Sequence, residues 1–274
     1  MVRLSVNGIS LYAEVQGDGE PILLLHGFAD SLRMWDGIKP ALLKAGYKVI
    51  TYDQRGFGQS DAPPEVAAYE LAKIVEDAKV VINEFCRTQK VRLVGHDWGA
   101  LVGWMVSIQY PELVHSFVAV SLGHPRAYRK AGLEQRKKGW YILAFQLRGI
   151  AEFMLKANNF GWLRRLSNNQ AELERWTGDL SRPGRLTAAL NWYRANMVAL
   201  MRAHFADCTV PVMGVYSTGD PALVEAQMIN SKNYVKNTWQ YERIDNCGHW
   251  IPTERPELFA NLLLDWINAS ESSA

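Results

Sequence analysis

The stretch Val91–Ala100 constrains the fold of this chain most, because it joins a short apolar run to a helix-like run through a tight turn. The apolar run ends at Gly95, and a second glycine, Gly99, opens a helical pattern that continues to Tyr110. Asp97 therefore stands at the apex of a G-x-D-x-G turn, where strained backbone leaves no room for neighbouring side chains. The pentapeptide alone supports equally an aspartate aimed at a substrate and an aspartate that caps the following helix.

Length and composition predict one globular domain with an insertion. Of the 274 residues, 48% are hydrophobic, which is enough for a large core. The cysteines, Cys86, Cys208 and Cys247, are odd in number and lack C-x-x-C spacing, and no charged and apolar leader is recognised. A reduced cytoplasm is therefore the expected location. No apolar run is long enough to span a bilayer.

Strand-like and helix-like runs alternate as far as Val120. An antiparallel hairpin is predicted for Arg3–Val6 and Leu11–Val15, joined through Asn7-Gly8. Further strands are predicted at Ile22–Leu25, Tyr47–Tyr52, Val91–Val94 and Phe117–Val120. The helices predicted between them are Met34–Lys44, Tyr69–Phe85 and Ala100–Tyr110. This alternation predicts a mainly parallel sheet with helices on both faces.

The alternation then stops, and a helical insertion is predicted. From His124 to about Phe205 the chain has helix-like runs rich in Trp, Leu and Arg and no convincing strand. The pattern resumes with predicted strands at Val210–Tyr216 and Trp239–Ile244 and a helix at Glu257–Ile267. We therefore predict a core domain of residues 1–123 and 207–274, with a helical cap of residues 124–206 inserted after the sixth strand. The cap is expected over the carboxyl ends of the strands, where open α/β sheets bind ligands.

A second turn can supply a backbone hydrogen-bond donor near Asp97. In Leu25–Ala29, a strand ends in a His-Gly turn, so that the backbone N–H of Phe28 can point to the same spot as the N–H of Trp98. Two such donors form an oxyanion hole. By itself this signal is weak, and His26 is more simply explained as a hydrogen-bonded structural histidine.

A third turn, Asn246–Trp250, places His249 just beyond the last predicted strand, where it can reach back over the sheet. The other histidines have simpler explanations as core, turn or surface residues: His26, His96, His115, His124 and His204. A catalytic His249 needs a carboxylate that holds its tautomer. Asp220, after the seventh strand, is the candidate, although alone it would be an ordinary turn residue. Asp245 is closer in sequence but is expected to be solvated.

The order nucleophile, acid, histidine is satisfied by Asp97, Asp220 and His249, each at the end of a separate predicted strand. With this order, the whole chain resembles the α/β-hydrolases, whose fold has a mostly parallel eight-stranded sheet. The His-Asp-Trp-Gly turn narrows the resemblance to the branch with an aspartate nucleophile, which includes epoxide hydrolases and haloalkane dehalogenases. The run Asp53–Ser60 matches the D-x-R-G-x-G-x-S loop of the family, which is structural there. One departure concerns the oxyanion loop, since many relatives have proline where Ala29 stands.

An aspartate nucleophile indicates which bond is attacked. A carboxylate that displaces a leaving group at an sp³ carbon forms an alkyl ester, which water can then hydrolyse, whereas a serine would leave a stable ether. An epoxide or a carbon–halogen bond is therefore expected in the substrate, rather than a carboxylic ester. A departing halide needs N–H donors, which Trp98 could supply, whereas an opening epoxide needs acidic O–H donors.

Two segments of the insertion, Gly139–Gln146 and Leu190–Asn196, resemble cap segments of epoxide hydrolases that supply ring-opening tyrosines. The resemblance implies that Tyr141 and Tyr193 have this role, although each is otherwise one of 11 tyrosines and better explained by packing. We expect a soluble epoxide hydrolase that needs no metal, cofactor or nucleic acid. A haloalkane dehalogenase is the first alternative, and a ligand-binding protein that has lost its chemistry is the second. The expected pocket wall contains Phe28, Trp98, Trp192 and Trp250.

The two predicted domains differ in net charge. Residues 124–206 contain 15 Lys and Arg against 5 Asp and Glu, a net charge of +10 within a chain of +2. The simple explanation is that arginine serves solubility and pairing with the core. Alternatively, the basic cap attracts anionic substrates or rests on an anionic membrane surface through Phe160–Arg165.

Overall fold

A twisted eight-stranded sheet forms the centre of the computed structural model, which describes residues 1–87, 89–167 and 169–271. The strands are β1 (Val2–Val6), β2 (Ile9–Gln16), β3 (Pro21–Leu25), β4 (Lys48–Tyr52), β5 (Val91–His96), β6 (Val114–Val120), β7 (Val212–Ser217) and β8 (Trp239–Ile244). Their order in the sheet is β1-β2-β4-β3-β5-β6-β7-β8. β2 is antiparallel to both β1 and β4, and the other neighbouring strands pair in parallel. The predicted α/β class and mostly parallel sheet are confirmed.

The helices are α1 (Lys39–Lys44), α2 (Leu71–Cys86), α3 (Trp98–Gln109), α4 (Pro125–Arg129), α5 (Gly132–Lys138), α6 (Trp140–Ala144), α7 (Ile150–Arg164), α8 (Gln170–Ser181), α9 (Arg185–Arg202), α10 (Glu225–Ile229), α11 (Ile251–Glu254) and α12 (Pro256–Glu271). Every residue of β3, β5 and β7 is buried, so both faces of the central sheet are covered. None of the helices in the described ranges is long and apolar enough to cross a membrane.

The predicted hairpin forms between β1 and β2, where Val6 pairs with Ile9. Asn7 and Gly8 both have positive φ, 48° and 79°. This backbone matches the twist of the two strands, and asparagine followed by glycine is the pair that adopts it most readily.

The predicted helix Met34–Lys44 is wrong as a single element. A 3₁₀ helix, Leu32–Trp35, ends before α1 begins at Lys39. Pro40 explains the break, because a proline inside one continuous helix would remove a backbone hydrogen bond and clash with the preceding turn. In the same way, the predicted strand Val210–Tyr216 begins only at Val212, because Pro211 has no N–H for the sheet.

Helices α4 to α9 lie between β6 and β7, and the described residues of this segment contain no strand. The segment is tied to the loops that follow β3 and β4. Arg175 pairs with Asp30 at 2.9 Å, and Trp192 Nε1 donates to the carbonyl of Arg55 at 3.0 Å. These loops leave the carboxyl ends of parallel strands, so the helices cover that edge of the sheet.

Candidate active site

The turn between β5 and α3 presents Asp97 at the carboxyl edge of the sheet. Asp97 has φ 52° and ψ −117°, a strained conformation for a residue with a side chain. A Cβ on Gly95 would lie 2.3 Å from the Gly99 carbonyl oxygen, and one on Gly99 would lie 2.1 Å from that of Leu25. Both positions therefore require glycine. The Asp97 side chain makes no capping hydrogen bond to α3, so the structure does not support the capping interpretation.

The two oxygens of Asp97 have different surroundings. Oδ1 accepts a hydrogen bond from the Phe28 N–H at 3.0 Å. Oδ2 lies 3.7 Å from Nε2 of His249. The Phe28–Ala29 peptide is cis, and the loop with Ala29 still directs the Phe28 N–H towards Asp97. Of the two donors expected for an oxyanion hole, the Phe28 N–H thus holds one oxygen and leaves the other facing the histidine.

His249 is held by Asp220. Its Nδ1 lies 2.7 Å from Asp220 Oδ2, while Asp220 Oδ1 accepts the N–H groups of Ala222 and Leu223 at 2.8 and 2.9 Å. With Oδ1 satisfied, Oδ2 is left to receive the Nδ1 proton, and Nε2 is directed at Asp97. Asp245 is 63% exposed and pairs with Arg243, as expected for a solvated residue.

The charges of the site stabilise one another. Burial disfavours the imidazolium, but the Asp220 and Asp97 carboxylates outweigh it and raise the pKa of His249 to about 10. Burial also opposes ionisation of Asp97, yet His249 and the Trp98 N–H hold its pKa below the usual range. At neutral pH, Asp97 is therefore an anion beside a cationic His249.

Two other histidines support this arrangement from behind. The backbone N–H of Gln54 donates to His26 Nε2 at 3.0 Å, which assigns the proton to Nδ1, facing the Gly27 carbonyl. His96 Nε2 lies 2.9 Å from the carbonyl oxygen of His249. Burial lowers the pKa of His26 to about 4 and that of His96 to about 3, so both are neutral and structural.

A cavity of about 90 Å³ separates the carboxylate from the insertion. Asp97 and His249 line it from the sheet side, and Tyr141 of α6 and Tyr193 of α9 line it from the helical side. The two tyrosine rings are 6.2 Å apart. Burial and the charge of Asp97 raise the pKa of both well above the ordinary value, so each keeps its proton. Helices separated by about 50 residues of sequence thus bring two O–H groups to one cavity.

The residues that line the cavity differ from the expected set at two positions. Phe28 and Trp250 do line the cavity, but Trp98 and Trp192 do not. The ring of Trp98 packs against Tyr193, with centroids 5.1 Å apart, and against Trp192, with centroids 5.4 Å apart. Trp192 is fully buried behind it. Aromatic packing between the insertion and the turn that carries Asp97 keeps both indoles out of the cavity wall.

Sequence reasoning missed Trp162, Lys138, Pro221 and Ala222, which also line the cavity. Pro221 and Ala222 could have been found, because they directly follow Asp220. The four-residue spacing of Trp162 and Leu166 is a further signal of a shared apolar face. The alternative in which Phe160–Arg165 rests on a membrane surface is not supported for these side chains, because Phe160 and Leu163 are buried and Trp162 faces the cavity.

The site combines the Asp97 carboxylate, a histidine with an acid partner and two tyrosines around one cavity. Within the described ranges, no group of three His, Cys, Asp or Glu side chains could hold a metal ion. The residues present are suited to forming an ester at Asp97 and hydrolysing it.

Comparison with known proteins agrees with the observed fold. The model of the family described as alpha/beta hydrolase fold matches residues 20–256. The AB hydrolase superfamily protein YfhM of Bacillus subtilis (strain 168) is 32% identical over 96% of both chains. Epoxide hydrolase 4 of Homo sapiens is 29% identical over 96% of this chain and 76% of its own length. The crystal structure of epoxide hydrolase A from Mycobacterium thermoresistibile superposes with a TM-score of 0.83 at 26% identity, covering 97% of each chain. The chain therefore belongs to the α/β-hydrolase fold family.

Proposed function

We propose that this protein is an epoxide hydrolase, which converts a small-molecule epoxide and water into a vicinal diol. The observation that carries the proposal is the pair of buried tyrosines, Tyr141 and Tyr193, that line the same cavity as the Asp97 carboxylate. A nucleophile on one side and O–H donors on the other are what opening an oxirane requires. The relatives from Homo sapiens and Mycobacterium thermoresistibile are named epoxide hydrolases, which supports the same activity here.

In the first step, Asp97 Oδ2 attacks an oxirane carbon. The carbon–oxygen bond breaks, and the departing oxygen takes a proton from Tyr141 or Tyr193 while the other tyrosine donates a hydrogen bond. Oδ1 keeps the hydrogen bond from the Phe28 N–H. The product of this step is a hydroxyalkyl ester of Asp97.

In the second step, His249 removes a proton from water, and the resulting hydroxide attacks the ester carbonyl carbon. The tetrahedral oxyanion forms on Oδ1, which already accepts the Phe28 N–H, and we assign the Trp98 N–H as its second donor. When the intermediate collapses, the diol oxygen leaves with the proton that His249 had taken. Collapse leaves Asp97 as a carboxylic acid, which passes its proton to His249, so that the carboxylate and the imidazolium of the free protein are both restored.

The pKa of His249 explains why the histidine acts in the second step and not in the first. Two carboxylates keep it protonated in the free protein. Alkylation turns Asp97 into a neutral ester, which removes one of those charges and lowers the pKa of His249. The proton that His249 then loses can restore the tyrosine that protonated the substrate. Ester formation thereby generates the base that hydrolyses the ester.

The position of the Trp98 indole gives no support to the alternative function, a haloalkane dehalogenase. That reaction needs N–H donors around the departing halide, and the Trp98 indole packs against Trp192 and Tyr193 instead of lining the cavity.

We further propose that two domains of the chain carry different parts of the site. Residues 1–123 and 207–274 form the core that carries Asp97, Asp220 and His249, and residues 124–206 form the cap that carries the tyrosines. Because Cys86, Cys208 and Cys247 are all unpaired, we place the protein in the cytoplasm.

A trapping experiment tests this function. His249→Gln should open epoxide once per site and then stall, so intact-protein mass spectrometry should find the mass of the substrate added to the peptide containing Asp97. Wild-type protein should release diol from the same epoxides and no halide from haloalkanes of similar size. Turnover by the variant without adduct, or faster halide release than diol release, would contradict the proposal.

A further inference from the structure

The outer side of the cap exposes more large apolar side chains than the core surface does. Seven of them lie between residues 133 and 154, with 51% to 77% of their surface exposed: Leu133, Trp140, Leu143, Leu147, Ile150, Phe153 and Met154. We name this set the apolar cap face. In the same segment, Phe145 and Ala151 are buried, so the seven form its outward side. Scattered exposed leucines are ordinary, but a cluster of this kind is typical of an interaction surface.

The charges around the apolar cap face are nearly all positive. Arg136, Lys137, Arg148 and Lys156 are exposed and form no ion pair within the described part of the chain. Between residues 131 and 160, the exposed acidic side chain is Glu134, while Glu152 is paired with Arg194 at 2.8 Å. The surface therefore combines aromatic and aliphatic side chains with free cations.

The combination of apolar side chains and free cations indicates which partner covers the apolar cap face. A second copy of the chain, docked face to face, would bring two cap segments of the same +10 net charge together. An anionic bilayer offers the opposite charge and an apolar interior for the side chains. We propose that the apolar cap face docks on the surface of an anionic lipid bilayer, with the helices α5 to α7 lying against the headgroups.

Trp140 connects this surface to the active site. It is 55% exposed, yet it also lines the cavity beside Tyr141. Docking would therefore place a wall of the cavity at the bilayer, where apolar epoxides accumulate. This consequence for substrate delivery rests on the proposed function, whereas docking itself does not.

Vesicle sedimentation tests the docking. The wild-type protein should pellet with vesicles of phosphatidylglycerol and phosphatidylcholine, and added salt should weaken its binding. Each cation near such a surface contributes roughly fivefold to partitioning, so Arg148→Glu/Lys156→Glu should lose at least tenfold. Leu147→Ser/Phe153→Ser should also lose binding.

Matched substitutions on the core provide the control. Leu258, 49% exposed, and Lys90, also exposed, lie outside the cap, and Leu258→Ser/Lys90→Glu should bind vesicles like wild type. All variants should keep their thermal unfolding temperature and their diol formation from a water-soluble epoxide, which shows that they are folded and tests the proposed function separately.

Three results would overturn the docking proposal. The first is the absence of binding, or equal binding to vesicles of phosphatidylcholine alone. The second is wild-type affinity in both cap variants. The third is concentration-dependent self-association without lipid that Leu147→Ser/Phe153→Ser abolishes, because the occupant would then be a second copy of the chain.

Discussion

Asp220→Asn separates the two chemical steps, and the structure dictates how the new amide must lie. Asp220 Oδ1 accepts hydrogen bonds from the N–H groups of Ala222 and Leu223, so the amide oxygen has to occupy that position. The amide nitrogen then faces Nδ1 of His249, where Oδ2 stands at 2.7 Å in the native protein. Nδ1 must accept this new hydrogen bond, and the proton of a neutral His249 moves to Nε2.

A histidine with its proton on Nε2 cannot take a proton from water. The same substitution in a serine protease triad lowers kcat by about 10⁴, and we expect a loss of ~10³ to 10⁴ in ester hydrolysis here. Ring opening depends on Asp97 and the tyrosines, so its rate should change little. The variant should therefore accumulate the alkyl-enzyme.

Rapid mixing with epoxide, followed by acid quench and intact-protein mass spectrometry, measures both steps. Asp97 should become alkylated at close to the native rate and stay alkylated. Asp245→Asn is the matched control, because Asp245 follows the neighbouring strand but is exposed and pairs with Arg243. It should turn over normally. The reasoning is refuted if Asp220→Asn hydrolyses the ester at the native rate or if ring opening falls as much as hydrolysis.

Three further predictions concern donors, charge and backbone. Tyr141→Phe and Tyr193→Phe should each slow alkylation by about 10²-fold, measured by single-turnover quench, while ester hydrolysis and fold stay intact; an unaffected double variant would contradict their role. Because His249 has a raised pKa in the folded state, its contribution to stability is complete below pH 6.5 and is lost by about pH 10. Urea unfolding should show this fall, by at most ~1.4 kcal/mol per pH unit, and His249→Gln should reduce it. Gly99→Ala should lower the thermal unfolding temperature and abolish activity, because its Cβ would lie 2.1 Å from the carbonyl oxygen of Leu25; native behaviour would show that the turn can relax.

The sequence predicts the parts of the site that depend on local backbone. The turn at Asp97 is recognised from the glycine on each side of it, and the turn after β8 is recognised from a short run of residues. Their spacing alone was enough to place Asp97 and His249. Asp220 and Asp245 both follow a strand and precede His249, and the choice of Asp220 depends on the expectation that Asp245 is solvated, which its 63% exposure matches. Distances such as the 2.7 Å from Nδ1 to Oδ2 follow from packing and could not be predicted.

The cap was harder to predict because its side chains face several surfaces at once. Trp192 and Tyr193 are adjacent in α9, yet one is buried behind the site and the other faces the cavity. Phe160–Arg165 has the composition of a membrane-binding segment, but its apolar residues pack inward, whereas Leu147 and Phe153 point outward. Helical spacing identifies which residues share a face but does not determine which face meets the core.

The fate of oxygen in a single turnover tests the central claim most directly. With excess protein and epoxide in H₂¹⁸O, the oxygen added to the first diol should come from Asp97 Oδ2, because hydroxide attacks the carbonyl carbon and the ester oxygen leaves with the product. The diol should therefore be unlabelled, and the peptide containing Asp97 should gain ¹⁸O. If the first diol carries the label and Asp97 does not, water attacks the epoxide directly and the covalent mechanism is wrong.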